Sequence, residues 1–131
     1  MPVPGTLKRT IIDELELVKL LRDKFGMDPL ITRTYLHLVQ HGEISLQDIA
    51  KMLSKPIEEV EDLLERMISQ GLVIRTAGTV CKFAALHPRM SMTNIFKVYE
   101  KELVQNLRDR RATLDRIVNL LTPIFEEREG K

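Results

Sequence analysis

The sequence holds one cysteine, Cys81, and no tryptophan. A single thiol excludes an intramolecular disulfide and any multi-cysteine zinc site, and it suits a reducing cytoplasm. Aromatic residues are scarce, at 5%, so the core must be built from aliphatic side chains. There is no apolar run of the length needed to span a bilayer. Met1-Pro2-Val3-Pro4-Gly5-Thr6 lacks the charged-then-apolar order of a signal peptide. An excess of one charge is missing too. Lys and Arg number 20 against 19 Asp and Glu, a formal net charge of +1. That balance gives no global attraction to nucleic acid or to an anionic surface, so an electrostatic partner must be met by a local patch. With 131 residues the chain is too short for a TIM barrel or a two-domain dehydrogenase.

What is present is mostly helical periodicity. The first nine residues read as a disordered lead-in. Ile11, Ile12, Leu15, Val18, Leu21 and Phe25 then recur at helical spacing up to Gly26. Asp28-Pro29 restarts the chain, Asp as an N-cap and Pro at the first helical position. The resulting helix carries Leu30, Ile31, Tyr35, Leu38 and Val39 and stops at Gly42. Ser45, with Asp48 three residues on, caps a third helix whose stripe is Leu46, Ile49, Ala50 and Leu53. After Ser54-Lys55-Pro56 a fourth helix runs from about Pro56 to Gln70, with Ile57, Val60, Leu63, Leu64, Met67 and Ile68 inward. Gly71 terminates it. So short a linker forces a sharp crossing, the helix-turn-helix arrangement.

The period then changes from 3.6 to 2. Leu72-Val73-Ile74-Arg75-Thr76 reads as a strand, Ala77-Gly78 as a tight turn, and residues 79–86 as the return strand. Three helices followed by a hairpin is the winged-helix layout, here over residues 10–90. Residues 91–131 form a separate stretch without a break until Pro123, which is expected to kink the last turns. Phe96, Leu103, Arg110, Ile117 and Ile124 stand seven apart, with Leu107, Leu114 and Leu121 in the complementary position. That is a coiled-coil seam over roughly four heptads. A helix on the order of 55 Å long cannot bury its seam on a domain with a radius of gyration of ~12 Å. The seam is therefore expected to meet another chain, with Arg110 fixing register. The fold class is mainly α: a winged helix-turn-helix domain with a two-stranded wing and a long C-terminal coiled-coil helix.

Particular residues resemble those of the archaeal TrmB-like transcription regulators, in their winged-helix part. They are Leu20-Leu21-Arg22-Asp23-Lys24-Phe25-Gly26, Thr34-Tyr35-Leu36-His37-Leu38, Ile49-Ala50, Val60 to Leu64 and Gly71-Leu72-Val73. Phe83-Ala84-Ala85-Leu86-His87-Pro88 is similar to the family's wing exit. The resemblance covers roughly residues 10–127. It implies a homodimer that binds double-stranded operator DNA and regulates transcription. Larger members carry a C-terminal sugar-binding domain that these residues do not include, so no ligand-sensing role is expected.

In a helix-turn-helix the second helix enters the major groove. Here its outward positions are Glu58, Glu59, Glu61, Asp62 and Glu65. A carboxylate ~7 Å from a phosphate costs roughly 0.6 kcal/mol at bulk dielectric. Five cost ~3 kcal/mol, against about 5–8 kcal/mol of non-specific binding. Residues 27–71 hold four bases and eight acids, a local charge of −4, while residues 72–90 hold three bases and no acid. If DNA is bound, Lys51, Lys55, Arg75 and Lys82 must carry most of it, with Lys8 and Arg9 as further candidates. The acidic run has three readings. It is a solvated helix face, it favours the helix dipole, or it is a docking face for a basic protein partner in an adaptor or assembly component.

Other constellations are weaker. His37 and His41 have the i, i+4 spacing of metal ligands, but no carboxylate set completes a site. Cys81, mid-strand in the hairpin, reads as a packed, inert thiol. The methionines read as core and seam filler, and Tyr99 as interface packing. No phosphate loop, nucleophile elbow or paired-carboxylate cleft is present, so no enzyme, cofactor or metal is expected.

Overall fold

The computed structural model describes residues 13–130. The lead-in, with Lys8 and Arg9, and the first two stripe residues expected of the first helix, Ile11 and Ile12, lie outside the described residues. The element order is α1 (Glu14–Phe25), α2 (Pro29–His41), β1 (Ile44–Ser45), α3 (Leu46–Leu53), α4 (Ile57–Ser69), β2 (Val73–Thr76), β3 (Lys82–Ala85) and α5 (Pro88–Glu129). Contacts divide the chain into two compact units between Ile95 and Phe96.

The helix starts sit where capping chemistry puts them. The Glu16 N–H donates to Asp13 Oδ1 at 3.1 Å, Leu30 N–H to Asp28 Oδ1 at 2.9 Å, and Asp48 N–H to Ser45 Oγ at 3.2 Å. Each bond satisfies an amide that the helix itself leaves unpaired. At the end of α4, Gly71 has φ +77°, and the Leu72 N–H donates to Met67 O at 3.0 Å. A Cβ at Gly71 would lie 2.8 Å or less from three side-chain atoms of Asn94. Glycine is thus required there twice, by backbone sign and by space.

The core of the first unit is aliphatic apart from Tyr35 and Phe83. Ile49, Val60, Leu64, Met67, Leu72 and Phe83 are completely buried, with Leu38 beside them. α4 contributes Val60, Leu63, Leu64 and Met67, the i, i+3, i+4, i+7 spacing that lines one face. Ile57, expected to point inward, is exposed instead at the first helical position.

The sheet has three strands rather than two, in the order β1-β3-β2, all antiparallel. Ile44 pairs with Phe83 and Ser45 with Lys82, while Val73 to Thr76 pair with Ala85 to Lys82. The return strand is shorter than residues 79–86, and the connection runs from Ala77 to Cys81. The Cys81 carbonyl accepts the Leu46 N–H at 3.1 Å, which fastens the end of the connection to the start of α3. Cys81 is exposed in this connection, not packed in a strand.

The first turns of α5 belong to the first unit. Ser91 and Ile95 are buried, and Ser91 Oγ lies 3.4 Å from Leu72 O and 3.3 Å from Leu86 O. Tyr35 OH donates to the same Leu86 carbonyl at 2.8 Å. In the second unit the helix continues without interruption through Pro123 to Glu129, and every described residue from Glu100 onward is exposed. The seam positions Phe96, Leu103, Leu107, Leu114, Ile117, Leu121 and Ile124 are 42–67% exposed. Among the described residues, no helix is long and apolar enough to cross a membrane.

Candidate nucleic-acid interface

The helix-turn-helix is α3 and α4, joined by Ser54-Lys55-Pro56. Ser54 takes a left-handed conformation, φ 54°, and its N–H donates to Lys51 O at 3.2 Å. The Lys55 N–H returns to Ala50 O at 3.2 Å. This compact reversal lets α4 start at once, and it presents Lys51 and Lys55 side by side at the surface. Both line an open depression of about 400 Å³ with Gln47, Ser54, Pro56 and Ile57. Lys55 also borders a second depression, about 290 Å³, with Leu30, Glu59, Asp62, Leu63 and Arg66.

Glu58, Glu59, Glu61, Asp62 and Glu65 are all exposed on α4. They are not all unopposed. Arg75 of β2 donates from Nη2 to Glu65 Oε1. The same guanidinium sits 5.4 Å from the centroid of the Phe83 ring, its cross-strand neighbour. The bond to Glu65, with a smaller contribution from Cys81, holds Arg75 above its ordinary pKa. One predicted DNA contact is therefore tied to one predicted docking residue. Lys82 stands apart from both, half-buried at the start of β3. Successive strand side chains alternate, so it points to the face opposite the buried Phe83.

The predicted cations thus separate into three places: Lys51 with Lys55 at the turn, Arg75 on the acidic face, and Lys82 on the sheet. Sequence reasoning passed over Arg66, an exposed cation one helical turn beyond Asp62, because the acids around it outnumber it. Gln47 was also missed, since a lone amide on a short helix carries no signal before the turn geometry is known. The His37 and His41 rings lie with centroids 4.2 Å apart, their planes tilted by 41°. Burial, and secondarily the neighbouring His41, lower the His37 pKa. Among the described residues no group of three or more His, Cys, Asp or Glu side chains could hold a metal ion.

Comparison with known proteins matches residues 21–89 to the sequence model of the sugar-specific transcriptional regulator TrmB. A DNA-binding HTH-type transcriptional repressor, TrmBL2 of Thermococcus kodakarensis, is 22% identical over 110 residues, 84% of this chain and 42% of the relative. The chain therefore spans about two-fifths of that relative's length. Among solved structures, TrmBL2, described as an archaeal chromatin protein with a novel mode of DNA binding, superimposes with a TM-score of 0.70. The identity is 19%, covering 86% of this chain and 43% of that one. The transcriptional regulator Tm0710 of Thermotoga maritima gives a TM-score of 0.53 at 16% identity, covering 90% and 89%. These likenesses establish a winged-helix fold.

Proposed function

The chain belongs to the TrmB family of transcriptional regulators, and on that premise we propose that it is a dimeric regulator that binds double-stranded DNA through the α3–α4 turn. The observation that carries this reading is the pairing of Lys51 and Lys55 on an open surface at the start of α4. There the ammonium groups and the positive end of the helix dipole act together on a phosphate. Lys and Gln side chains around a turn hold phosphates and sugars and so fix register, while base edges supply sequence preference. The outer face of α4 opposes this with Glu58, Glu59, Glu61 and Asp62, so binding is expected to be modest and strongly salt-dependent. The seam from Phe96 to Ile124 supplies the dimer contact.

A polarisation titration against random duplex DNA, from low salt upward, tests this. Binding in the micromolar range, falling with salt by a log–log slope of about −2 to −4, is expected for two to four phosphates neutralised. No binding at tens of micromolar at low salt overturns it.

The Arg75–Glu65 pair favours a second reading. It uses a wing cation within the protein and leaves four carboxylates outward, which suits a basic protein partner. Charge reversal at Glu58, Glu59 and Asp62 separates the two: it strengthens DNA binding under the first and abolishes capture of a partner under the second.

A further inference from the structure

Ile57 stands apart among the apolar residues of α4. It heads the row that continues through Val60 and Leu64, yet those two are completely buried and Ile57 is 43% exposed. α4 begins at the surface, straight after the Ser54-Lys55-Pro56 reversal, so its first apolar side chain falls outside the core.

The surroundings of Ile57 are chemically distinctive. It lines the open depression of about 400 Å³ together with Ala50 and Pro56, and with Lys51 and Lys55. That lining includes two cations and no carboxylate. The neighbouring depression, by contrast, carries Glu59 and Asp62 beside Lys55 and Arg66. An apolar lining beside two ammonium groups fits a polyanion that also displays an apolar group at its edge. Duplex DNA is such a polyanion. Its base faces are stacked inside, and the apolar group that it presents along the major groove is the C5-methyl of thymine. Cytosine carries only hydrogen at that carbon. The start of the second helix of a helix-turn-helix is where base edges are met. The Ile57 side chain has no donor or acceptor, so it reads an edge by shape and desolvation alone.

We propose that Ile57 is a specificity-determining residue, packing against the C5-methyl group of a thymine while Lys51 and Lys55 hold nearby phosphates. The proposal rests on the DNA reading above and adds the base preferred and the side chain that prefers it. Covering one methyl group with an aliphatic side chain corresponds to about fourfold in affinity.

Deoxyuridine lacks only this methyl and pairs as thymidine does, so the test needs no operator. Polarisation titrations at low salt compare an alternating dA–dT duplex with the same duplex made with deoxyuridine. The unaltered chain is expected to bind the thymine duplex at least threefold more tightly. Ile57→Ala is expected to bind both alike, near the affinity of the unaltered chain for the uracil duplex. Its salt slope should equal that of the unaltered chain, because the lost contact carries no charge. An alternating dG–dC duplex gives an independent check, since 5-methylcytosine in place of cytosine puts the same methyl in the same groove. Tighter binding of the methylated form by the unaltered chain, lost in Ile57→Ala, supports the contact. Equal binding of the thymine and uracil duplexes by the unaltered chain overturns the proposal. So does a thymine preference that survives in Ile57→Ala, which then comes from duplex shape. Absence of binding to every duplex overturns the DNA reading itself, whereas binding without a methyl preference overturns only the role of Ile57.

Discussion

Arg75 on the first wing strand and Glu65 on the second helix of the helix-turn-helix are joined by a hydrogen-bonded ion pair. The wing's guanidinium is thereby turned toward the acidic helix, while its side chain stays exposed. The pair couples the two elements that a winged helix uses on DNA, so its removal changes two charges at once.

Glu65→Gln removes one carboxylate and frees Arg75. DNA affinity at low salt is expected to rise about three- to tenfold. If the freed guanidinium reaches a phosphate, the log–log salt slope steepens by about 0.9. Polarisation titrations of the variant and the parent protein at several salt concentrations measure both quantities. An unchanged slope with an unchanged affinity would show that this face never approaches DNA.

Lys51→Ala and Lys55→Ala act in the opposite sense. Each is expected to lower affinity severalfold for every duplex sequence alike and to flatten the slope by about 0.9, because phosphate contacts carry no sequence preference. Lys82→Ala, altering a half-buried side chain on the sheet, should change neither slope nor affinity as much. The same titration decides the ranking.

Gly71→Ala tests the wing's base. The alanine Cβ would meet Asn94 at 2.3–2.8 Å, and φ is +77°. The Asn94 Nδ2 donation to Gly71 O, at 2.9 Å, would be displaced with it. Loss of about 2–3 kcal/mol of folding stability is expected, from left-handed strain plus the lost contact. A urea unfolding midpoint reads it.

Most helix boundaries were legible in the sequence because caps are local. Asp28-Pro29, Ser45 with Asp48, and Gly71 each act within a few residues, and each stands where the spacing predicts. β1 was not legible. Two residues, Ile44 and Ser45, carry no periodicity, and their partners Phe83 and Lys82 lie 39 and 37 positions onward. The wing turn was read two residues long for the same reason, since the bond from Leu46 to Cys81 O is invisible until β1 is known. Local charge arithmetic hid the Arg75–Glu65 pair. It assigned Glu65 to an acidic segment and Arg75 to a basic one, and side chains ten positions apart were counted separately. The cluster at the turn was half legible: Lys51 and Lys55 were named, but Gln47 needed the crossing angle to join them.

Tyr35→Phe tests the junction of α2 with the wing exit. It removes the 2.8 Å donation to Leu86 O and is expected to cost about 1 kcal/mol. Burial, partly offset by the Ser91 hydroxyl, raises the phenol above its ordinary 10.0. The folded chain then keeps this proton to higher pH than the unfolded chain does. Its contribution to stability is complete below pH 10 and is lost as pH rises through the folded-state value. Urea titrations at alkaline pH should show that decline in the parent protein, and a shallower one in Tyr35→Phe.

The shortest strand has a kinetic consequence. To join β1 to β3 the chain must close a loop that contains all of α3, α4 and β2. Closure entropy grows with the length enclosed, while α3–α4 and β2–β3 contacts are local and close first. The Ile44–Phe83 rung is therefore the last clasp to fasten on refolding and the first to open. Amide exchange at this edge should report the opening of the sheet well before the helices exchange.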